Sequence, residues 1–367
     1  MHRNFGEAVT VYDGTHQTPK YVDDGVMFLS VENINTLKSE KFISEMDFLS
    51  EFKISPEYGD ILMTRIGDIG TPNVVRTHEK LAYYVSLALL KPNNSDSDFI
   101  ATSIQSPYTQ ARLWERTLHV AFPKKINKGE IETITLYIPS LPEQTAIGDF
   151  FHTLDGIIAS VQRKLIMAKK MKQAFLQRMF PQAGETVPKV RFAGFTEPWI
   201  QLRLGEITQI KTGDSDVQDA VLDGQYPFYI RSDTIKRSTK YLYDGEAILI
   251  PGEGRLGEIY HYINGKFDYH QRVYKISDFN NNIDGKFILY SMQKTFKKHA
   301  LSYTAKATVD SLRLPMLTEF IIMVPSYKEQ IAIGNFFLNL DTQITTQQTK
   351  LDNLKRLKSA FLQKMFV

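Results

Sequence analysis

Residues 139–155 read PSLPEQTAIGDFFHTLD, and residues 325–341, which begin 186 positions further along the chain, read PSYKEQIAIGNFFLNLD. When the comparison is extended to residues 138–180 and 324–366, the two stretches are identical at 23 of 43 aligned positions. Chance does not produce a match of that length. The chain therefore contains an internal repeat, and this repeat decides the fold.

Apolar residues recur in both copies at steps of four and three positions for more than four heptads. A sustained period of 3.5 residues is typical of a coiled-coil seam, whereas the apolar stripe of a globular helix is broader. Neither helix can bury such a seam alone, so we expect two long helices that pair with each other. The predicted seam residues are Ile147, Phe151, Leu154, Ile158, Leu165, Phe175, Ile333, Phe337, Leu340, Ile344, Leu351, Leu354 and Phe361.

One lysine in each copy, Lys172 and Lys358, falls on the predicted seam. A seam lysine fixes the register of the two helices, or it extends from the seam edge so that its ammonium group reaches water. The sequence pattern leaves both interpretations open.

Composition limits the class of protein. A chain of 367 residues exceeds one ordinary core and favours two or three domains. The content of 43% hydrophobic and 23% charged residues is typical of a soluble globular protein. Because there is no cysteine, disulfides and thiolate zinc sites are excluded, and a reducing, cytoplasmic location is expected. No signal-peptide core and no run of 18 uncharged apolar residues is found, so secretion and membrane insertion are not expected.

The repeat extends beyond the two helices. GDILMTRIGDIG (residues 59–70) aligns with GEAILIPGEGRLG (residues 245–257), and YYVSLALL aligns with YHQRVYKI at the same offset of 186. The unit that is duplicated is thus a globular domain followed by a long helix. The predicted boundaries are 1–138 (first domain), 139–186 (first helix and linker), 187–323 (second domain) and 324–367 (second helix).

The globular domains read as strand-rich. Their β-branched and aromatic runs are separated by turn signals, of which Asn264-Gly265 is one. The two domains are less alike than the two helices, which indicates one plan with two different recognition surfaces. The predicted strands are residues 26–31, 61–64, 247–250, 261–263 and 271–276.

Several motifs resemble those of one family, the specificity (S) subunits of Type I restriction-modification enzymes. The most specific are the paired P-x-x-x-EQ-x-AIG-x-FF-x-x-LD helices, which end in AFLQRMF and AFLQKMF. Three further motifs are VPKVRFAGFTEPW (residues 187–199), DGTHQTPKYVDDGVMFLSVENI (13–34) and GKFDYHQRVYKIS (265–277). The resemblance covers essentially the whole chain.

The resemblance implies an α+β fold with two target recognition domains, separated by two long helices that form an antiparallel coiled coil with pseudo-two-fold symmetry. Each domain would read one half of a bipartite site in double-stranded DNA. The coiled coil would set the spacer and dock two modification (methyltransferase) subunits, and restriction (motor-nuclease) subunits would join through the complex. S-adenosylmethionine, ATP and magnesium would then be bound by those partner subunits, and no cofactor by this chain.

One departure from the family concerns the start of the first domain. The lead-in VPKVRFAGFTEPWIQLRL precedes Gly205, whereas only residues 1–5 precede Gly6. The chain therefore starts inside its first domain, or the lead-in is dispensable there; both expectations stay open.

GEGRLG (residues 252–257) fits the dinucleotide pattern G-x-G-x-x-G, but EIYHYINGKF after it reads as strand and turn, where a helix would be required. We expect a tight surface turn. Arg255 in this turn, and Arg65 in the matching TRIGDIG, are of the type that most often reads guanine edges. A phosphate contact or a solvated position stays open for either arginine.

Two further segments contribute candidates for DNA contact. DGTHQTPKY is a short polar loop, and such loops on rigid scaffolds often carry recognition. In DYHQRVYK, strand alternation places Tyr269, Gln271 and Val273 on one face, taken as the core face, and His270 and Arg272 on the other. The complete set of DNA-binding candidates is Thr15, His16, Gln17, Thr18, Lys20, Arg65, Arg231, Arg255, His270 and Arg272.

Catalytic motifs are not found in the sequence. The eight histidines are scattered without an H-E-x-x-H pattern, and neither a Walker A motif nor an N-P-P-Y or D-P-P-Y methyltransferase tetrad is present. We therefore expect a non-catalytic DNA-recognition subunit. The net charge of +3 permits a DNA partner without arguing for one. The alternative is a scaffold whose two domains bind proteins.

Overall fold

In a computed structural model of the protein, residues 2–304 and 311–366 are described. The chain divides into two compact units. Unit 1 comprises Met1–Gln162 and Thr349–Val367, and unit 2 comprises Arg163–Gln348. Within the described ranges, no helix combines the length and the apolar character needed to cross a membrane.

Unit 1 contains a four-stranded, a three-stranded and a two-stranded sheet. Its elements are β1 (His2–Asn4), α1 (Phe5–Ala8), β2 (Val9–Asp13), β3 (Val26–Leu29), β4 (Phe42–Ile43), α2 (Glu45–Glu51), β5 (Ile61–Thr64), β6 (Pro72–Val74), β7 (Leu81–Tyr83), β8 (Leu87–Pro92), α3 (Ser97–Gln105), α4 (Pro107–Glu115), α5 (Lys128–Glu132), β9 (Thr135–Tyr137) and the first part of α6 (Leu141–Arg178). The strand orders are β2-β8-β5-β6, β4-β3-β7 and β1-β9.

Unit 2 repeats this plan with a six-stranded sheet and a two-stranded sheet. Its elements after α6 are β10 (Ile200–Arg203), α7 (Leu204–Ile207), β11 (Gln209–Thr212), β12 (Tyr226–Tyr229), β13 (Ile235–Ser238), β14 (Tyr243–Pro251), β15 (His261–Tyr269), β16 (Val273–Ser277), α8 (Gly285–Thr304), α9 (Leu314–Thr318), β17 (Ile321–Val324) and the first part of α10 (Tyr327–Met365). The strand orders are β11-β16-β14-β15-β12-β13 and β10-β17.

The first domain has the same edge strand as the second, although the two lead-in sequences differ in length. β1 pairs antiparallel with β9, with His2 opposite Tyr137. β10 pairs in the same way with β17, with Gln201 opposite Met323. Tyr137 and Met323 are 186 positions apart, so the strand pairing obeys the repeat.

The long helices belong to the cores of the domains. In unit 1, Phe151 of α6 and Phe366 after α10 lie in one apolar cluster with Phe99 and Ile100 of α3. In unit 2, Phe337 of α10 packs in the same manner among the buried residues of α8. The duplicated FF and AFLQ motifs thus join helix to domain in both halves.

Within each unit the two helices run antiparallel. In unit 1, Lys358 of α10 pairs with Asp155 of α6. Three positions further along α10, Phe361 contacts Phe150, which lies five positions earlier on α6, at 5.1 Å between ring centroids. In unit 2, Phe175 contacts Phe336 at 5.0 Å. Of the predicted seam residues, seven are buried and the others are half-buried; the buried ones are Phe151, Leu154, Leu165, Ile333, Phe337, Leu340 and Leu351.

Both seam lysines form ion pairs across the helices. Lys172 Nζ lies 2.7 Å from Asp341 Oδ1, and Lys358 Nζ lies 2.7 Å from Asp155 Oδ1. The two lysine side chains are 17% and 18% exposed, so neither ammonium group extends freely into water. The repeat maps one pair onto the other, and such a reciprocal pair fixes the register of the two helices in each unit.

Three sequence predictions about the strands need correction. The strand predicted at 26–31 ends at Leu29, and a 3-10 turn follows. The strand predicted at 271–276 begins only at Val273. The turn predicted at Asn264-Gly265 lies inside β15, where Gly265 is opposite Gly245 of β14. Both glycines have positive φ angles, 135° and 151°, so they bend the two paired strands without ending them.

Candidate nucleic-acid interface

In unit 2, four chain segments at the ends of strands are joined by backbone hydrogen bonds into one surface. The segments are residues 213–219 after β11, 230–234 after β12, 252–257 after β14 and 270–272 between β15 and β16; we call them the unit-2 loop cluster. The bonds are donated by His270 N–H to Tyr229 O (2.9 Å), by Gln271 N–H to Ser215 O (2.9 Å) and by Gly252 N–H to Arg272 O (2.8 Å).

Unit 1 has the same framework. Its equivalent segments are residues 13–18, 30–33, 65–70 and 84–86, which we call the unit-1 loop cluster. The bonds are donated by Tyr84 N–H to Leu29 O (2.8 Å), by Val85 N–H to Thr15 O (2.9 Å) and by Arg65 N–H to Ser86 O (2.9 Å). The framework therefore gives position-by-position equivalents, for example Ser86 and Arg272, whose side chains differ.

Two of the predicted arginines converge on one carboxylate in the unit-2 loop cluster. Arg231 Nη1 donates to Glu253 Oε2 at 2.8 Å, and Arg272 Nη1 donates to Glu253 Oε1. The hydrogen bond from Arg231 is the first cause, and that from Arg272 the second, that lower the pKa of Glu253. Both arginine side chains are exposed, at 44% and 57%. Exposed ion pairs contribute only about 0–1 kcal/mol, so an incoming anion or base edge can displace the carboxylate at little cost.

Arg255 lies at the rim of the same cluster. Its guanidinium is 58% exposed and pairs with Asp233 of the 230–234 segment. The turn that carries it contains Gly254 and Gly257 with φ of 87° and 65°, a conformation that favours glycine. The predicted tight turn thus connects β14 to β15 and presents one arginine to solvent.

His270 is buried, at 2% exposure, and its Nδ1 accepts a hydrogen bond of 2.9 Å from Arg272 N–H. Burial, and next the charge of Arg231, lower the pKa of His270, which favours the neutral ring with its proton on Nε2. That atom lies 3.9 Å from Asp216 Oδ2 and has no hydrogen-bond partner among the described residues. The geometry gives His270 a positioning role behind Arg272, and a DNA contact by His270 stays a prediction.

A buried carboxylate supports the cluster from below. Asp268 is fully buried and accepts hydrogen bonds from Ser215 Oγ (2.8 Å), Ser238 Oγ (2.8 Å) and Tyr269 N–H (2.8 Å). A buried charge is tolerated only when such donors satisfy it. Asp268 therefore fastens the segment after β11 to the segment before Arg272.

In unit 1, the predicted polar loop is largely accessible. His16, Gln17, Thr18 and Lys20 are exposed, whereas Thr15 is half-buried and its Oγ1 donates to Glu51 Oε2 at 3.3 Å. The loop borders an open cavity of about 600 Å³, whose lining also includes Tyr12, Lys53 and Lys128. The lining combines hydrogen-bonding groups with charges of both signs, because Asp13 and Glu51 also border the cavity.

Arg65 does not share this exposure. It is 5% exposed, its Nη1 donates to Asp13 Oδ1, and its Nε donates to Ile126 O at 3.2 Å. Burial lowers the pKa of Arg65. Arg65 thus links Asp13, at the start of the polar loop, to the backbone at Ile126. Contact between Arg65 and a DNA base stays a prediction, which this buried placement disfavours.

Exposed residues within the unit-2 loop cluster and beside the unit-1 loop cluster were not predicted. Gln271 is exposed and donates from Nε2 to Asp216 Oδ2 at 2.8 Å; it was assigned to the core face because residues 270–272 were read as strand, whereas they form a turn. In unit 1, Val120 and Phe122 are almost completely exposed beside Lys124, whose carbonyl accepts from Gly67 N–H at 2.8 Å. The aromatic and basic residues of HVAFPKK (residues 119–125) are the feature of the sequence that could have indicated this surface.

The comparisons with known proteins concern the family and the fold of the chain. The family described as Type I restriction modification DNA specificity domain matches residues 21–169 and 196–356. The Type I restriction enzyme EcoDI specificity subunit of Escherichia coli is 27% identical over 165 residues, which are 45% of this chain and 36% of that protein. The Type I restriction enzyme MjaVIII specificity subunit of Methanocaldococcus jannaschii is 20% identical over 265 residues, 65% of this chain and 62% of that protein. This chain thus spans less than two thirds of either relative.

A solved structure shares the fold. The S subunit of the Type I restriction-modification system from M. genitalium aligns with a TM-score of 0.76 and 15% sequence identity, and the alignment covers 100% of this chain and 96% of that one. The family match covers both domains and most of both long helices. The chain belongs to the family of Type I restriction-modification DNA specificity proteins.

Proposed function

We propose that the chain is the DNA-recognition subunit of a Type I restriction-modification complex, in which each unit binds one half of a bipartite site. The observation that carries the proposal is the repeated loop cluster. The same three backbone hydrogen bonds recur in both units, but they support different side chains, such as Ser86 and Arg272. Two domains that recognise different DNA sequences require the same backbone framework with different exposed side chains.

In unit 2, the arginines supply the chemistry of recognition. Arg231 and Arg272 rest on Glu253 when no DNA is bound, and the approach of DNA offers guanine O6 and N7 or phosphate oxygens in place of the carboxylate. Glu253 can in turn accept a hydrogen bond from a cytosine amino group. The neutral His270 and the buried Asp268 keep the backbone of this surface fixed while the side chains exchange partners.

In unit 1, recognition relies on polar side chains other than arginine. His16, Gln17 and Thr18 are exposed at the edge of the loop cluster, and glutamine is suited to adenine N6 and N7. Lys124 would contact phosphate, and the exposed ring of Phe122 would pack against a sugar or a base step. The two units would thereby prefer different half-sites.

The paired helices would set the spacer and dock the two modification subunits. In support, α6 leaves Ile166, Met167 and Met171 exposed in unit 2, at 45%, 69% and 44%. Methionine-rich apolar surfaces favour protein partners. Methyl transfer, cleavage, S-adenosylmethionine, ATP and magnesium would belong to the partner subunits, and restriction subunits would join through the complex.

Sequencing the methylated bases in a host that expresses the chain with its modification subunits should reveal one bipartite motif with a fixed spacer. A host with the modification subunits alone should lack this motif. If methylation with the chain present showed no sequence preference, the chain would be a protein-binding scaffold with two domains, which is the alternative function.

Replacing Arg272 with alanine should weaken binding of the assembled complex to its site by roughly 1–3 kcal/mol, because a bidentate contact with guanine would be lost. The loss should disappear on DNA whose unit-2 half-site has been altered. Competition binding with both DNAs measures this difference. Arg203→Ala removes an exposed arginine outside the loop cluster and should change neither affinity. An equal loss for Arg272→Ala on all DNA, with a salt slope reduced by about 0.9, would instead identify a phosphate contact.

A further inference from the structure

In unit 1, the loop of residues 118–125, which we call the Phe122 loop, follows α4 and holds two apolar side chains in solvent. Val120 and Phe122 are completely exposed, at 99% and 104% of their reference areas, whereas Ala121 between them is half-buried. Single exposed apolar side chains are common on protein surfaces. Here, however, a valine and a phenylalanine are fully exposed together at the tip of one loop, and burying the phenylalanine ring against a partner would be favourable.

The base of the Phe122 loop is held in place. Leu118 N–H donates to Lys125 O at 2.7 Å, so the two ends of the loop are paired. The Trp114 ring of α4 packs against this base, with its centroid 4.4 Å from that of His119 and 4.4 Å from Lys124 Nζ. A tip on such a base loses little conformational entropy when it binds.

The Phe122 loop is continuous with the framework that carries the loop clusters. Ile126 N–H donates to Arg65 O at 3.0 Å, and in unit 2 Leu312 N–H donates to Gly252 O at 2.7 Å. Leu312 follows Ile126 by 186 positions, so the bond obeys the repeat. It is a fourth backbone bond common to both units. The loop therefore borders the unit-1 loop cluster and leads directly into the segment of Arg65.

The charge around the Phe122 loop differs from that of the rest of its domain. Residues 1–138 contain 14 basic and 18 acidic residues, but residues 116–129 contain 4 basic residues and no acidic one. Lys124 and Lys125 are exposed directly after the tip, and Lys128 lines the cavity at the polar loop. An apolar tip followed by lysines complements duplex DNA, in which phosphates lie outside and stacked bases inside.

We propose that Phe122, with Val120 beside it, is a wedge that enters one base step of the half-site bound by unit 1 and unstacks it. Lys124 and Lys125 contact the phosphates next to this step. Proteins that insert phenylalanine or leucine in this way kink the duplex. Because pyrimidine–purine steps unstack most readily, the wedge selects sequence without a hydrogen bond to a base edge. The wedge requires the proposed function, since unit 1 must bind DNA for Phe122 to reach a base step.

The test uses the complex assembled from the chain and its modification subunits, and duplexes that contain its methylated motif. The half-site of unit 1 is the half that changes when residues 1–138 are exchanged. A fluorescent base analogue, 2-aminopurine for adenine or pyrrolocytosine for cytosine, replaces one base at a time. The methylated base stays unlabelled, because methyltransferases take their target base out of the stack. Fluorescence should rise at one step of the unit-1 half-site, and no rise at any step would contradict the wedge.

Side-chain replacement assigns the rise to the ring. Phe122→Ala should abolish the rise and weaken binding to the motif by about tenfold or more, because stacking between an aromatic ring and a base contributes that much. Phe122→Leu keeps an apolar wedge and should retain part of both effects. The matched control Met46→Ala removes a 77% exposed apolar side chain on α2 and should change neither. A rise that persists in Phe122→Ala would refute the wedge.

Two rival contacts of the ring are distinguished by the same variant. If Phe122→Ala weakened binding although no step of the native complex unstacked, the ring would pack on a sugar. If Phe122→Ala lowered assembly with the modification subunits in the absence of DNA, measured by analytical ultracentrifugation, the ring would contact protein. Either result refutes the wedge, but a native complex that still methylates one bipartite motif keeps the proposed function. Methylation without sequence preference would contradict the proposed function itself.

Discussion

Replacing residues 1–138 with the corresponding domain of another specificity subunit should change one half of the methylated motif and leave the other half unaltered. The reason is that each loop cluster is built by its own unit, through backbone bonds such as Val85 N–H to Thr15 O and Gln271 N–H to Ser215 O. Each mismatched base pair costs about 1–3 kcal/mol, so even two changed positions should lower affinity for the original half-site by about 30-fold or more. Sequencing of methylated bases in a host with the chimera measures the outcome.

The junctions of the chimera must preserve the packing between the replaced domain and the two long helices. Phe151, Leu362 and Phe366 from the helices pack with Phe99 and Ile100 of the replaced domain. A donor with phenylalanine and isoleucine at the latter positions should preserve this packing. The matched control replaces residues 187–323, and it should change the other half of the motif. If either exchange altered both halves, assignment of one half-site to each unit would be wrong.

The long helices could be predicted from the sequence because two independent signals agree. The heptad period indicates a buried seam, and the duplication supplies a partner with the same seam. The register of the two helices could be predicted only in part. The sequence placed Lys172 and Lys358 on the seam, but it did not identify their partners Asp341 and Asp155. Which residues pair across two helices depends on how the helices are aligned along their axes. The heptad period of a single helix gives no information on that alignment.

The recognition surface was harder to predict. Strand alternation failed at residues 270–272 because the segment forms a turn, whose backbone bonds to Tyr229 and Ser215 come from distant parts of the chain. Arg65 was expected at the surface by its residue type, yet Asp13 and Ile126 O satisfy it inside the domain. In both cases a long-range contact, invisible to local pattern, decides which side chains reach solvent.

Replacing Arg191 with methionine should lower the free energy of unfolding of unit 2 by about 3–5 kcal/mol, because the carboxylate of Glu329, which accepts hydrogen bonds from Arg191 Nε and Nη2, would remain buried without its partner. Glu329 is 0% exposed and Arg191 is 11% exposed at their side chains, so solvent can screen this pair only weakly. Methionine keeps most of the apolar stem, and the measured loss therefore reports the ion pair and not a large cavity.

The internal repeat supplies both the reporter and the control for this experiment. Replacing Trp114 with phenylalanine leaves Trp199, buried in unit 2, as the single tryptophan, so denaturant titration followed by tryptophan fluorescence reports on the unit that carries the change. Glu143→Ala, at the exposed equivalent of Glu329, should change stability by less than about 0.5 kcal/mol. Replacing both partners, as in Arg191→Met with Glu329→Leu, should recover most of the loss, since an apolar pair no longer buries an unpaired charge. If Arg191→Met alone unfolded with the native midpoint, the carboxylate of Glu329 would have another partner or access to water.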